Sequence, residues 1–217
     1  MQSAIYNVLM SDRSPEGAFT DARFFALCIS HCAMKHHGSL SMAMGLEIRQ
    51  LNALFLRYFP KIEESRSLAQ CTKVHLHMAA GGTFLCQCLG KENQTSARNE
   101  EFGDLFNLFL AHRSGADPES EWVASIIAAG CLSNDHLWQD LGLTNREDLS
   151  EILKLHFPLL YSKNSGNMKW KKFFYKQLCD RAEVRTCQAP SCAVCNDYAQ
   201  CFGPEDASGW NLLAAQG

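Results

Sequence analysis

The chain has 217 residues, 47% hydrophobic and 20% charged, with 20 Lys and Arg against 23 Asp and Glu for a formal charge of −3. That suits one large domain or two small ones with an ordinary core, and the near-neutral balance argues against nucleic acid or an anionic membrane surface as partner. No apolar run approaches the ~20 residues of a bilayer span, and eleven cysteines without an export signal read as reduced thiols of a cytoplasmic protein.

In chain order, residues 1–19 are expected to form a flexible N-terminus, followed by a helical domain over 20–185. Leu51, Leu54, Phe55 and Tyr58 fall at i, i+3, i+4, i+7, the stripe of an amphipathic helix. Phe102, Leu105, Phe106 and Phe109 repeat that spacing, as do Leu149, Ile152, Leu153 and His156. Asp117-Pro118-Glu119 reads as a helix cap with proline at the first helical position, and Thr144 with Glu147 as a capping box. Pro60 and Pro158 end their helices, because the residue before proline avoids the α region. Strand-like alternation is sparse, so the fold class is all-α, a helical bundle.

The bundle carries a duplicated helical hairpin. Phe25 to Leu46 aligns without gaps on Trp122 to Leu143, matching Gly45 with Gly142 and Leu46 with Leu143. After one skipped residue, Leu51/Leu149, Leu54/Ile152, Phe55/Leu153, Phe59/Phe157 and Pro60/Pro158 follow. Cys28 and Cys32 align with Ser125 and Ala129, so no metal site is duplicated. His136 and Asp140, four apart, could form a His–carboxylate pair, although a helix-terminal histidine without a special role is the more frequent case. The N-terminal histidines His31, His36 and His37, together with His75 and His77, complete no ligand pattern. No nucleophile elbow, P-loop, zincin or dinucleotide motif is present, and no enzyme site emerges.

Seven cysteines, at 28, 32, 71, 86, 88, 131 and 179, are scattered through apolar stretches and read mostly as small core hydrophobes. Cys86 and Cys88 are the close pair among them. The other four, Cys187, Cys192, Cys195 and Cys201, form C-x4-C-x2-C-x5-C, a Cys-rich metal-binding loop expected over 186–203 ahead of a flexible tail at 204–217. Four thiolates on one short segment can converge on a single centre if the backbone coils around it. Structural zinc usually takes two separated C-x2–4-C knuckles, and only Cys192 and Cys195 resemble one. C-x4-C-x2-C opens the plant-type iron–sulfur pattern, so the spacing favours an iron–sulfur cluster over zinc, with a disulfide pair as the third reading.

Met168 to Asp180 leads into the loop. Trp170, Phe173, Phe174, Gln177 and Leu178 form one mostly apolar face, and Lys169, Lys172 and Lys176 line another. From 163 to 185 there are seven Lys and Arg against Asp180 and Glu183, an excess of five positive charges. A solvated lysine face is the plain reading. The functional one is a cationic collar beside the thiolates that attracts an oxyanion or docks an acidic partner.

HLWQDLGL (136–143), the LHFP ending at Pro158, MKWKKFFYKQLCD (168–180) and CQAPSCAVCNDYAQCFGPED (187–206) together resemble the NifQ family. The match is close over about 120–206 and looser from about 20 to 120. The resemblance implies an iron–sulfur protein that receives molybdenum on its cluster, as a Mo–Fe–S species, and donates it to nitrogenase iron–molybdenum cofactor assembly in nitrogen fixation. Its implied partners are molybdate, the nitrogenase iron protein and the cofactor-assembly scaffold complex, and its implied cluster ligands are Cys187, Cys192, Cys195 and Cys201. It implies a metallocluster carrier rather than an enzyme. Two other classes remain beside it on the residues alone, a zinc-stabilised helical interaction module and an iron–sulfur electron carrier.

Overall fold

A computed structural model describes residues 2–35, 40–61, 75–79, 82–86, 96–182, 198–203 and 205. In chain order the described helices are Gln2–Ser11 (α1), Phe19–Lys35 (α2), Leu40–Ala43 (α3), Ile48–Tyr58 (α4), Ser96–Leu110 (α5), Pro118–Cys131 (α6), Leu137–Asp140 (α7), Arg146–His156 (α8), Pro158–Lys163 (α9), Trp170–Arg181 (α10) and Tyr198–Phe202 (α11). The fold is all-α, and among the described residues the exception is an antiparallel hairpin, His75–Ala79 (β1) with Gly82–Cys86 (β2), in which His75 pairs with Cys86 and Ala79 with Gly82. The alternation of Leu76 and Met78 with His75 and His77 covers only five residues, too few for periodicity to separate strand from helix. No described helix is long and apolar enough to cross a membrane.

The duplication in the sequence is also a duplication in packing. α2, α3 and α4 form the first copy; α6, α7 and α8 form the second. Each short helix ends in a glycine in the left-handed region, Gly45 at φ 66° and Gly142 at φ 70°. Around each, the following leucine closes a six-residue Schellman turn: Leu46 N–H donates to Ser41 O and Leu143 N–H to Trp138 O, both at 2.8 Å. A Cβ on Gly142 would lie 2.3 Å from His31 Cβ on α2, and one on Gly45 would lie 2.9 Å from Ser125 O on α6. Each copy's turn therefore abuts the first helix of the other copy. Glycine is required at both places by conformation and by close approach.

The expected stripes are buried. Leu51, Leu54, Phe55 and Tyr58 on α4 and Leu149, Ile152, Leu153 and His156 on α8 all face the core; on α5, Leu105 and Phe109 are buried while Phe102 and Phe106 pack at its margin. Asp117 caps α6 by accepting from Ser120 N–H at 2.8 Å. The cap of α8 differs from the expected capping box. Asn145, not Thr144, sits in extended conformation and accepts from Asp148 N–H at 2.9 Å, its short amide reaching the third helical residue. The expected flexible N-terminus also differs: α1 packs against α2, because burying Ile5 and Leu9 there stabilises a helix that lacks polar start and stop signals.

The two copies share a buried polar centre. Tyr58 and His156 are equivalent positions in the duplication, and both reach Asp21 on α2. Tyr58 Oη–H donates to Asp21 Oδ2 at 3.2 Å, and His156 Nε2 lies 2.9 Å from Asp21 Oδ1. A carboxylate can only accept, so this histidine nitrogen carries a proton. Ser120 Oγ lies 3.0 Å from His156 Nδ1 and also contacts Asp117 Oδ2. Burial, with the Asp21 charge adding to it, pushes the Tyr58 hydroxyl upward and keeps it a donor. The backbone is tied in equivalent fashion, with Ser14 N–H on Tyr58 O and Ser114 N–H on His156 O, both at 2.9 Å.

Candidate metal centre

The C-terminal site is built on the connection that follows α9. Asn164 closes it with its side chain, Oδ1 accepting from Met168 N–H and Nδ2–H donating to Met168 O, both at 2.8 Å. Asn167 takes the left-handed conformation, φ 55°, which Asn tolerates better than most residues. α10 then enters the bundle through Trp170, Phe173 and Phe174, with Phe174 edge-on to Phe109 at 4.8 Å between ring centres. Gln177 and Leu178 are half-buried, and Lys172 and Lys176 face solvent, as the two-faced pattern requires.

α11 carries Cys201 and docks on the start of α10. Lys169 N–H donates to Cys201 O at 2.7 Å and Lys169 Nζ to Ala199 O at 3.4 Å, so one lysine serves two carbonyls at the C-terminal end of that short helix. Tyr198 and Phe202 stack at 4.5 Å, and Phe202 lies beside Gly166. Beyond Gly203, the Glu205 carboxylate pairs with the Arg146 guanidinium; their side chains are 8% and 17% exposed.

Of the four expected cluster ligands, Cys201 is placed, half-buried, on α11; Cys187, Cys192 and Cys195 lie outside the described residues. Among the described residues no group of three or more His, Cys, Asp or Glu is arranged to hold a metal ion. Of the scattered cysteines, Cys28, Cys32 and Cys131 are buried in the core, as expected. Burial pushes the Cys28 thiol well up and those of Cys32 and Cys131 to about 12, so all three remain protonated and make poor metal ligands. Cys201, by contrast, is half-buried and not sealed in the core, which fits a soft, sulfur-held metal group. Cys179 is half-buried on α10, Cys86 lies on β2, and Cys71 and Cys88 fall outside the described residues.

The lysine collar is partly neutralised. Lys176 Nζ pairs with Asp180 at 2.6 Å one turn along, both half-exposed. Lys171 turns inward to Asp140 at 2.5 Å and to Ser133 O at 2.8 Å. Lys169 is committed to α11, and Lys172 makes no ion pair among the described residues. The candidate His136–Asp140 pair does not form. His136 starts α7, its N–H bonded to Gln139 Oε1, and Asp140 is taken by Lys171. His36 and His37 fall outside the described residues.

The residues that hold the C-terminal arm, Arg146 and Glu205, escaped the sequence reading. The available signal was a cation in the first turn of a helix, where the dipole favours acids. Such a misplaced charge points to a partner elsewhere.

The NifQ family model matches residues 24–203, which include all four clustered cysteines. The chain is 43% identical over 149 residues to Protein NifQ of Azotobacter vinelandii, covering 65% of this chain and 76% of that protein. It is 43% identical over 113 residues to a Protein NifQ homolog of Sinorhizobium fredii, covering 52% of this chain and 49% of the relative. With Protein NifQ of Rhodobacter capsulatus the identity is 43% over 98 residues, covering 45% and 54%. The chain thus spans about three quarters of the first relative and about half of the other two. No solved structure matches it at a significant level.

Proposed function

This chain belongs to the NifQ family, and from that premise we propose that it is an iron–sulfur protein that binds molybdenum and donates it for nitrogenase iron–molybdenum cofactor assembly. The observation that carries the reading is the donor set: four cysteines within fifteen residues inside the family match, one of them fixed outside the core while other thiols are sealed within it. Cys187, Cys192, Cys195 and Cys201 would hold the cluster, which supplies sulfur ligation for molybdenum. Molybdenum is the cargo, delivered as molybdate and passed to the nitrogenase iron protein and the assembly scaffold complex. In this reading the protein is a cytoplasmic carrier and not a catalyst, and the half-buried position of Cys201, outside the sealed core, supports it.

Anaerobically purified protein is expected to be coloured and to contain iron with acid-labile sulfide. Colourless protein with stoichiometric zinc would support an interaction module instead.

Lys169, Lys172 and Lys176 are proposed to favour molybdate arrival or acidic-partner docking, with Lys172 the most available of the three. Changing all three to Gln is expected to lower molybdenum loading or transfer, with the deficit shrinking as salt is raised. Unchanged loading and transfer at low salt would remove the collar from the account.

A further inference from the structure

The fourth cysteine stands on α11, and the structure shows what holds that helix and the residues after it to the bundle. Arg146, at the first helical position of α8, directs its guanidinium away from its own helix. Nη1–H pairs with Glu205 Oε1; Nη2–H donates to Met168 O at 2.8 Å and to Asn167 Oδ1 at 3.0 Å, with Asn167 O at 3.4 Å. The guanidinium lies over the Trp170 ring, 5.6 Å from its centre. The ring is fixed in turn, Trp170 Nε1–H donating to Ser150 Oγ at 3.3 Å and Ser150 Oγ–H to Arg146 O at 3.1 Å. These contacts form a closed circuit around one arginine, and only the planar five-donor fork of Arg can span it.

The circuit brackets Cys201. Lys169, the residue just after Met168, holds Cys201 O through its N–H and, upstream, Ala199 O through Nζ; downstream, Glu205 is held by Arg146. Lys169 lies within the 167–170 segment, and Arg146 is bonded to that segment through Asn167 and Met168, so the arm is fastened to one place on either side of the cysteine. We propose that Arg146 is a positioning residue for the metal ligand Cys201: with Glu205 and Trp170 it latches the C-terminal arm so that Cys201 is held in fixed geometry. The proposal rests on the reading of the four cysteines as ligands. Outer contacts of this kind typically change metal affinity by about 10- to 100-fold when removed.

Cobalt(II) tests it, because a tetrahedral thiolate site gives intense sulfur-to-cobalt charge-transfer absorption. The full chain is freed of metal, reduced and titrated anaerobically. Glu205→Gln and Arg146→Gln are each expected to weaken cobalt binding by about 10- to 100-fold and to alter the charge-transfer band. Helix content should stay unchanged, and Arg146→Lys should fall between wild type and Gln. A merely structural role would not move the cobalt spectrum or give this graded rescue. If Arg146→Gln does not fold, Glu205→Gln, which alters only the arm, decides the question. Wild-type affinity and spectrum in Glu205→Gln would overturn the latch. Absence of the charge-transfer band from the wild type would overturn the four-cysteine reading itself, and the latch with it.

Discussion

His156→Ala is expected to lower the stability of the bundle by about 3 kcal/mol, the upper end of the range for leaving a buried polar group without its hydrogen-bond partner. In a chain of this length that corresponds to a melting temperature lower by roughly 10 °C. The reason lies at Asp21, only 5% exposed, whose carboxylate is satisfied by two donors from the two halves of the duplication. Alanine removes the nearer donor, leaves Ser120 Oγ without its ring nitrogen and opens a hole beside Phe157. Two controls separate these contributions. Ser120→Ala, which spares the Asp21 contact, is expected to cost about 1 kcal/mol. Tyr58→Phe keeps the ring that packs on Phe25 and loses only a hydroxyl, so it should also cost about 1 kcal/mol. Thermal unfolding monitored by circular dichroism decides the matter. A loss below 1 kcal/mol for His156→Ala would show that Asp21 is not held as described.

Cys201→Ala is expected to do the reverse, abolishing retention of iron and molybdenum while leaving the helices intact. α11 touches the bundle chiefly through backbone and arm contacts, the Lys169 N–H to Cys201 O bond among them, and alanine preserves those. Cys195→Ala is expected to behave in the same way. Cys131→Ala supplies the contrast, because that thiol is sealed in the core and held protonated, and its loss should cost some stability but no metal. Metal analysis beside far-ultraviolet circular dichroism reads both outcomes. Full iron in Cys201→Ala, or marked loss of helix signal in Cys195→Ala, would contradict the separation of bundle from metal loop.

How much of this was written in the sequence differs from place to place for physical reasons. The stripes of α4 and α8 were legible because apolar periodicity reports directly on which face is buried. The paired glycines were legible as a repeat, and the structure adds that each turn leans on the other copy's first helix. The N-terminal helix was not legible, because its order comes from Ile5 and Leu9 docking on α2, a tertiary contact with no local signal. The α8 cap slipped by one residue because Thr144 and Asn145 are both capping types and only backbone conformation chooses between them. At the site, cysteine spacing pointed to a metal centre without reference to any partner. Counting lysines overstated the collar, since Asp140, distant in sequence, neutralises Lys171. Arg146 and Glu205, 59 positions apart, could not be paired by inspection, because nothing local says where a long side chain finds its counterion.

Whether these four thiolates carry molybdenum on an iron–sulfur group, as proposed, is read most directly by molybdenum content. The protein is purified anaerobically from cells grown with molybdate, alongside a variant with Cys187, Cys192, Cys195 and Cys201 all changed to Ala. The account predicts molybdenum together with iron and acid-labile sulfide in the wild type, and none of the three in the variant. Iron and sulfide without molybdenum in the wild type would indicate an electron carrier, and molybdenum retained by the variant would contradict the account outright.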